Sequence, residues 1–491
     1  MAEKNIFEEQ GHFWWADEPI LPGNFAPENH VTGRFSIEEN GTCHLELDGI
    51  LPGEANRSAR IFSGSRQHVP RAIQGITKLT GHRVLLIDAI PNGGAFNSSR
   101  FSYERYMATM CLVGKSPFPK RLSPLRFSRF DINFSGFEEW LQLGAIQASR
   151  TNRTLSLKSK NVKDIDFNIP IGKLTISHYN ELPESGSLYL SQLTLKETNV
   201  ISIKPNKAIS PENVRSEFSA LQDLMILLAE THYSLSWPMV RISRTKSEFK
   251  FYFRRITSSA TAPRFYDMPT SFSQIHEKFG DIFSTWLDKR ERFGAGFFAY
   301  ISTHRDIELY AESRFMSLVQ GLETYHRTKS PDSLENRKLQ EKVSRIVGDI
   351  KLEKDKRWLQ NMLRHAAEPR LNQRLVEIAN NLPLGLDQNR VETFAQACAT
   401  IRNDLAHFGG RTTRQESADY LREIVQKSDA LDLLYQMTLW KEIGFDDDHL
   451  RQIFDGYGSY RRKHALVAAG LLPAEVLEDR HLKSMVSGEK K

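Results

Sequence analysis

The sequence predicts an α+β multidomain chain in which an N-terminal antiparallel β-rich region, sandwich or barrel-like, precedes a C-terminal all-α bundle. Three observations carry this. Short apolar runs, alternating or continuous, fill roughly the first 200 residues, and turn formers such as Pro52-Gly53 and Pro183-Glu184-Ser185-Gly186 separate them. From about Arg305 onward apolar residues recur at three and four instead. Short connections join those later segments, as antiparallel bundle neighbours require. A chain of 491 residues exceeds what one core serves, so the expected division is 1–300 β-rich, 301–470 helical and 471–491 a tail.

Composition narrows the class. Hydrophobic residues make up 40% of the chain and aromatics 10%, enough to fill cores rather than leave the chain disordered. A net charge of +6 admits a nucleic-acid partner without demanding one. Cys43, Cys111 and Cys398 lie far apart with no C-x-x-C pair, so neither a disulfide framework nor a zinc knuckle is expected. The acidic start (Glu3, Glu8, Glu9) is unlike a signal peptide, and no apolar run reaches membrane-spanning length. The expectation is a soluble cytoplasmic protein without a membrane partner. No G-x-x-x-x-G-K-[ST], H-E-x-x-H or G-x-S-x-G occurs, so nucleotide hydrolysis, zincin proteolysis and α/β-hydrolase chemistry lack support; the expectation is no cofactor and no metal site.

Taken in order, Thr42–Gly49 alternates leucine with polar residues and reads as a half-buried strand, while the continuous run Val84–Ile90 suits a strand buried on both faces. Pro91-Asn92-Gly93-Gly94 reads as a turn, Phe130–Phe134 as an alternating strand, and Ser135–Leu143 as a brief helix capped by its serine. Ser210-Pro211 opens a helix whose apolar face is Val214, Phe218, Leu221, Leu224, Met225 and Leu228. In Lys250–Arg254, Phe251 and Phe253 share one face and Tyr252 shares the other with the cations. The basic stretch from Arg241 to Arg255 reads as an amphipathic strand with solvated charges, although its interleaved aromatics also suit single-stranded nucleic acid. Helices are expected at Ile307–Arg327, Leu334–Ile350, Lys354–His365, Leu371–Asn380, Val391–Phe408 and Ser417–Ile443. Asp446-Asp447-Asp448 reads as the cap and first turn of another helix rather than a metal site.

The segment Arg402-Asn403-Asp404-Leu405-Ala406-His407, followed by Phe408-Gly409-Gly410, holds the chemistry. On its helix Val391, Phe394, Cys398, Ile401, Leu405 and Phe408 fall in a sector about 100° wide, which is the core stripe. Arg402 lies at the stripe's edge, and Asn403 and His407 lie together on the far side. A guanidinium, an amide and an imidazole that share an outward face can cleave RNA without a metal; a solvated helix face carries the same residue types. Of the 15 histidines, only His407 has an arginine five, six or seven positions before it.

This hexapeptide resembles the R-N-x-x-x-H signature of the HEPN superfamily, helical bundles that include many metal-independent ribonucleases. Arg314–Arg327 is similar to the opening helix of the HEPN module in the ApeA anti-phage family. Gly11-His12-Phe13-Trp14-Trp15, with Pro22-Gly23 and Gly33-Arg34-Phe35, resembles that family's β-rich domain, with Ala16-Asp17 where Leu-Pro is expected. The resemblance implies an endoribonuclease of abortive-infection defence, acting on RNA, with tRNA favoured by analogy. It also implies a homodimer or higher homo-oligomer whose motifs face one another, and an N-terminal half that senses a phage-encoded trigger or restrains the nuclease. His407 would then be general base or acid and Arg402 the grip on the scissile phosphate. Asn403 either orients His407, donates to a phosphate oxygen, or makes a plain surface hydrogen bond. Glu323, His326 and Arg327 are supporting candidates: Glu323 holds Arg402 or His407, or merely pairs with Arg327 at i, i+4. The alternative from another class is a non-catalytic HEPN-like dimerisation module beside a ligand-binding β domain.

Overall fold

The computed structural model describes residues 4–52, 71–95, 102–134, 136–160, 162–181, 195–230, 235–256, 264–305, 309–329, 334–363, 368–407, 414–456 and 458–477. They belong to two compact units, Met1–Asp223 with Tyr233–Ala262, and Leu224–His232 with Pro263–Lys491.

Six strands of the first unit close into a barrel: β1 (Asn5–Trp15), β2 (Val31–Glu38), β3 (Cys43–Leu47), β4 (Arg71–Thr77), β5 (Arg83–Ala95) and β6 (Tyr103–Ala108). All pair antiparallel, in the ring order β1-β2-β3-β6-β5-β4 and back to β1. The alternation in the sequence fills the interior: Phe13 and Trp15, Phe35 and Ile37, and Cys43, Leu45 and Leu47 are all buried there. Ring closure leaves little room at the β1–β4 crossing. Phe13 pairs with Gly75, and a Cβ on Gly75 would lie 2.3 Å from the Phe13 ring.

Strand β5 joins the barrel to a larger sheet. Its first half, Arg83–Ile87, pairs with β7 (Met110–Gly114), and its second half, Ile90–Ala95, pairs with β6. The change of partner falls at Asp88–Ala89, where Asp88 adopts φ 53°; farther on, the pairing with β6 is irregular between Pro91 and Gly94, where proline offers no N–H to the ladder and Gly93 adopts φ 100°. The expected turn at Pro91–Gly94 is therefore a bulge inside a strand. Val84, Leu85 and Leu86 are buried although they alternate between faces, as the continuous apolar run predicts.

The chain continues through β8 (Phe127–Ile132), β9 (Ile146–Arg150), β10 (Leu155–Ser159), β11 (Ile165–Ile169), β12 (Gly172–Glu181), β13 (Lys196–Pro205), β14 (Met239–Ile242) and β15 (Glu248–Phe253). From β7 the sheet runs β15-β14-β8-β13-β12-β11, and β9 and β10 form a separate hairpin. Phe249, Phe251 and Phe253 are buried, and Tyr252 enters the barrel core, so β15 is covered on both faces. Phe251 and Phe253 thus share a face as expected, and the opposite face, read as solvated, is covered at Tyr252. Arg241 pairs with Glu248, and the Arg255 guanidinium lies 3.6 Å from the Trp237 ring, so part of the basic stretch is spent on local structure.

Two helices interrupt the strands. The first, α1 (Phe137–Leu141), has Gly136 at its N-cap with φ 85°, a conformation glycine supplies without strain; Ser135, the expected cap, lies outside the described residues. In α2 (Pro211–Ala229) the Ser210 hydroxyl accepts from the Asn213 N–H at 3.3 Å, the expected cap.

The second unit is helical: α3 (Phe272–Ile275), α4 (Phe279–Phe293), α5 (Ala295–Ser302), α6 (Ala311–Lys329), α7 (Leu334–Gly348), α8 (Glu353–Met362), α9 (Leu371–Asn380), α10 (Gln388–His407), α11 (Arg414–Glu442), α12 (Asp447–Asp455) and α13 (Ser459–Ala468). Helical structure begins at Phe272, ahead of the expected Arg305; Phe279, Ile282, Phe283 and Trp286 already repeat at three and four and are buried. The long α11 buries Leu431, Leu434, Tyr435 and Trp440 and packs against α6 and α5. Trp440 Nε1 and Gln436 Nε2 donate to the Leu227 carbonyl at 3.3 and 3.4 Å, and Thr270 Oγ1 donates to that of Leu228 at 2.7 Å. Carbonyls near the end of α2 thus find side-chain donors in the helical unit. Asp446 caps α12 by accepting from the His449 N–H at 2.9 Å, the role the acidic run predicts. No helix among the described residues is long and apolar enough to cross a membrane.

Gly75→Ala is expected to cost about 1–3 kcal/mol through overpacking against Phe13. A urea melt reads this as a lower midpoint at constant slope, and an unmoved midpoint contradicts the tight crossing.

Candidate active site

Helix α10 starts where the Asp387 side chain accepts from the Arg390 N–H at 3.0 Å. Its buried stripe is Val391, Phe394, Ala395, Cys398 and Ile401, with Leu405 half-buried. The next positions leave the core. Arg402 keeps a third of its side chain exposed, Asn403 is exposed, and His407 is the last helical residue. The His407 side chain and the following Phe408, Gly409 and Gly410 lie outside the described residues.

Helix α6 brings the second set of groups. Gly321 lets it approach its neighbours closely: a Cβ there would lie 2.4 Å from the Tyr435 hydroxyl and 2.6 Å from Ala299. Half a turn on, the Glu323 carboxylate is mostly buried and takes two cations, Arg402 Nη2 at 3.5 Å and Arg327 Nη2 at 3.1 Å. Arg402 Nη1 also donates to Asn403 Oδ1 at 3.1 Å. Glu323, Arg327, Arg402 and Asn403 therefore stand together, and both proposed contacts of Glu323, to Arg402 and to Arg327, occur at once.

The pairing continues through a buried arginine and a buried histidine. Arg327 Nε meets Glu368 at 2.9 Å, and the buried Arg374 meets the same carboxylate at 3.1 Å. Arg374 Nη1 approaches His326 Nδ1 at 3.2 Å, and His326 Nε2 lies 2.6 Å from Glu377. A guanidinium only donates, so Nδ1 of His326 accepts and its ring proton sits on Nε2, donating to Glu377. Buried between α6 and α9 in this way, His326 connects Arg374 to Glu377 and does not join the Arg402 group. Burial first, and then neighbouring Arg327, lower the Arg374 pKa below the ordinary arginine value.

At the end of α6 a second carboxylate fixes the helix. Burial raises the Glu442 pKa, but hydrogen bonds from Lys329, Tyr325 and Lys289 outweigh it and hold the group at about 2.

Sequence reasoning missed Glu368, Arg374 and Glu377. One signal was present for Arg374: it falls three residues after Leu371 and four before Ile378, on the apolar side of α9, where a charge needs partners.

The model of ApeA N-terminal domain 1 matches residues 8–286. The chain belongs to the ApeA family. The Apea-like HEPN model matches residues 316–449, a span that holds Glu323, Arg402, Asn403 and His407. The pairing of an ApeA N-terminal domain with a HEPN domain is that of an anti-phage defence nuclease family, and HEPN domains are generally ribonucleases that dimerise. No curated protein and no solved structure matches this ApeA-family chain.

Because the folded-state pKa of Glu442 is depressed, its contribution to stability is intact above the unfolded value of 4.5 and is lost as pH falls toward about 2. Glu442→Gln is expected to cost about 1.5–3 kcal/mol at neutral pH and to shrink the acid-dependent loss. Thermal melts across that range showing equal slopes for both proteins contradict the assignment.

Proposed function

We propose that this ApeA-family chain is a metal-independent endoribonuclease of anti-phage defence. The observation that carries the reading is Arg402, held at the surface by Glu323 and Asn403 on the helix that His407 closes. Arg402 grips non-bridging oxygens of the scissile phosphate through its planar fork and stabilises charge on the phosphorane. His407 takes the proton of the 2′-hydroxyl as its oxygen bonds to phosphorus. The bond from phosphorus to the 5′-oxygen breaks, and a protonated His407 of a second copy supplies that oxygen's proton. The products are a 2′,3′-cyclic phosphate and a 5′-hydroxyl. Two copies are invoked because Asn403 and Ala406 are exposed on this face, and a symmetric neighbour completes a composite site.

Around this centre, residues 301–470 form the nuclease, residues 1–300 sense a phage-encoded trigger or restrain it, and residues 471–491 are a tail. The enzyme works in the cytoplasm, and tRNA is the RNA favoured by family analogy. Neither cofactor nor metal takes part.

His407→Ala is expected to lower the cleavage rate in EDTA by about a hundredfold or more while leaving the melting temperature unchanged. Glu323→Gln keeps the shape but loosens Arg402, lowering kcat about tenfold. His407→Ala cleaving RNA at the unmodified rate sinks the assignment.

A further inference from the structure

The α7–α8 hairpin spends almost nothing on a core of its own. Val347 is the one buried side chain among those described on it, and α8 buries none. Leu352, Trp358 and Met362 are 68%, 62% and 66% exposed. Bare apolar groups of this size mark a surface that meets a partner.

Charge identifies the partner. The hairpin, residues 334–362, contains eight Lys and Arg against five Asp and Glu, a net +3 in a chain whose total is +6. Among the described residues only one of these cations has an ion pair, Lys356 with Glu353 at 3.8 Å. A second copy docked symmetrically here would set basic surface against basic surface. A polyanion carrying flat apolar rings satisfies both features.

The hairpin is also rooted at the candidate site. It leaves at the end of α6, just after Arg327 and Lys329, and returns at Glu368. Those roots are tied by Arg327 to Glu368 at 2.9 Å, and Arg327 shares Glu323 with Arg402. We propose that the α7–α8 hairpin is an RNA-gripping arm: its exposed cations follow the backbone of an unpaired strand, Trp358 stacks on a base, and the strand is led to Arg402. The proposal rests on the nuclease reading and sets its substrate class, since a base within a duplex offers no free face. The nuclease therefore takes single-stranded or looped RNA.

The test is equilibrium binding of a short, unstructured, fluorescein-labelled RNA to the full chain carrying His407→Ala, followed by anisotropy in EDTA. Adding Trp358→Ala is expected to weaken binding about tenfold. Adding Lys354→Glu with Arg357→Glu is expected to weaken it at least as much and to flatten its salt dependence. All three proteins should share one circular-dichroism melt, because neither set of changes touches a buried side chain. Unchanged RNA affinity in both variants overturns the arm. So does normal RNA affinity with a loss of self-association in sedimentation, which assigns the hairpin to a partner copy. A chain that binds RNA through the hairpin yet cleaves none under any condition upholds the arm and counts against the nuclease reading alone.

Discussion

Two guanidinium groups cannot share a small surface without an anion between them, and Glu323 is that anion for Arg327 and Arg402. The carboxylate is mostly buried, so its charge is tolerated only while both helices keep their register. The arrangement of α6 against α10 and the presentation of Arg402 are thus one constraint. Beyond Arg327 the alternation of charge continues through Glu368, Arg374 and His326 to Glu377, which binds α9 into the same array. Each member is satisfied by the next, so removing an interior one leaves a charge without its partner in a low-dielectric setting.

The β-rich unit solves a different problem. A long sheet has edges, and this one hides part of its length by curling six strands into a ring while the remainder runs on as an open sheet. One strand, β5, serves both parts by changing partners at Asp88–Ala89, from β7 to β6. Closing the ring produces a barrel filled by aromatic and aliphatic side chains.

Much of this was legible in the sequence, for identifiable reasons. The alternation at Cys43–Leu47 and the three-to-four spacing in Leu371–Asn380 each reflect one buried face, and the structure has the strand and the helix there. Barrel closure was not legible, because it depends on a second partner for β5 that local spacing cannot encode. The burial of Tyr252 was not legible because alternation separates two faces of a strand without saying that both are covered. At the site, Arg402 and Asn403 stood out by spacing alone, and the i, i+4 rule found Glu323 with Arg327. Glu377 and Arg374 of α9 come from about 50 residues further along the chain, where only tertiary packing brings them to His326.

The central claim is that His407 and Arg402 cut RNA by attack of its own 2′-hydroxyl, and the ends of the cut strand record which nucleophile acted. Mass spectrometry of fragments made by the full chain in EDTA should find 2′,3′-cyclic phosphate and 5′-hydroxyl termini. Fragments ending in 3′-hydroxyl and 5′-phosphate groups would contradict the account, because they require water to have attacked from the other side of the phosphate.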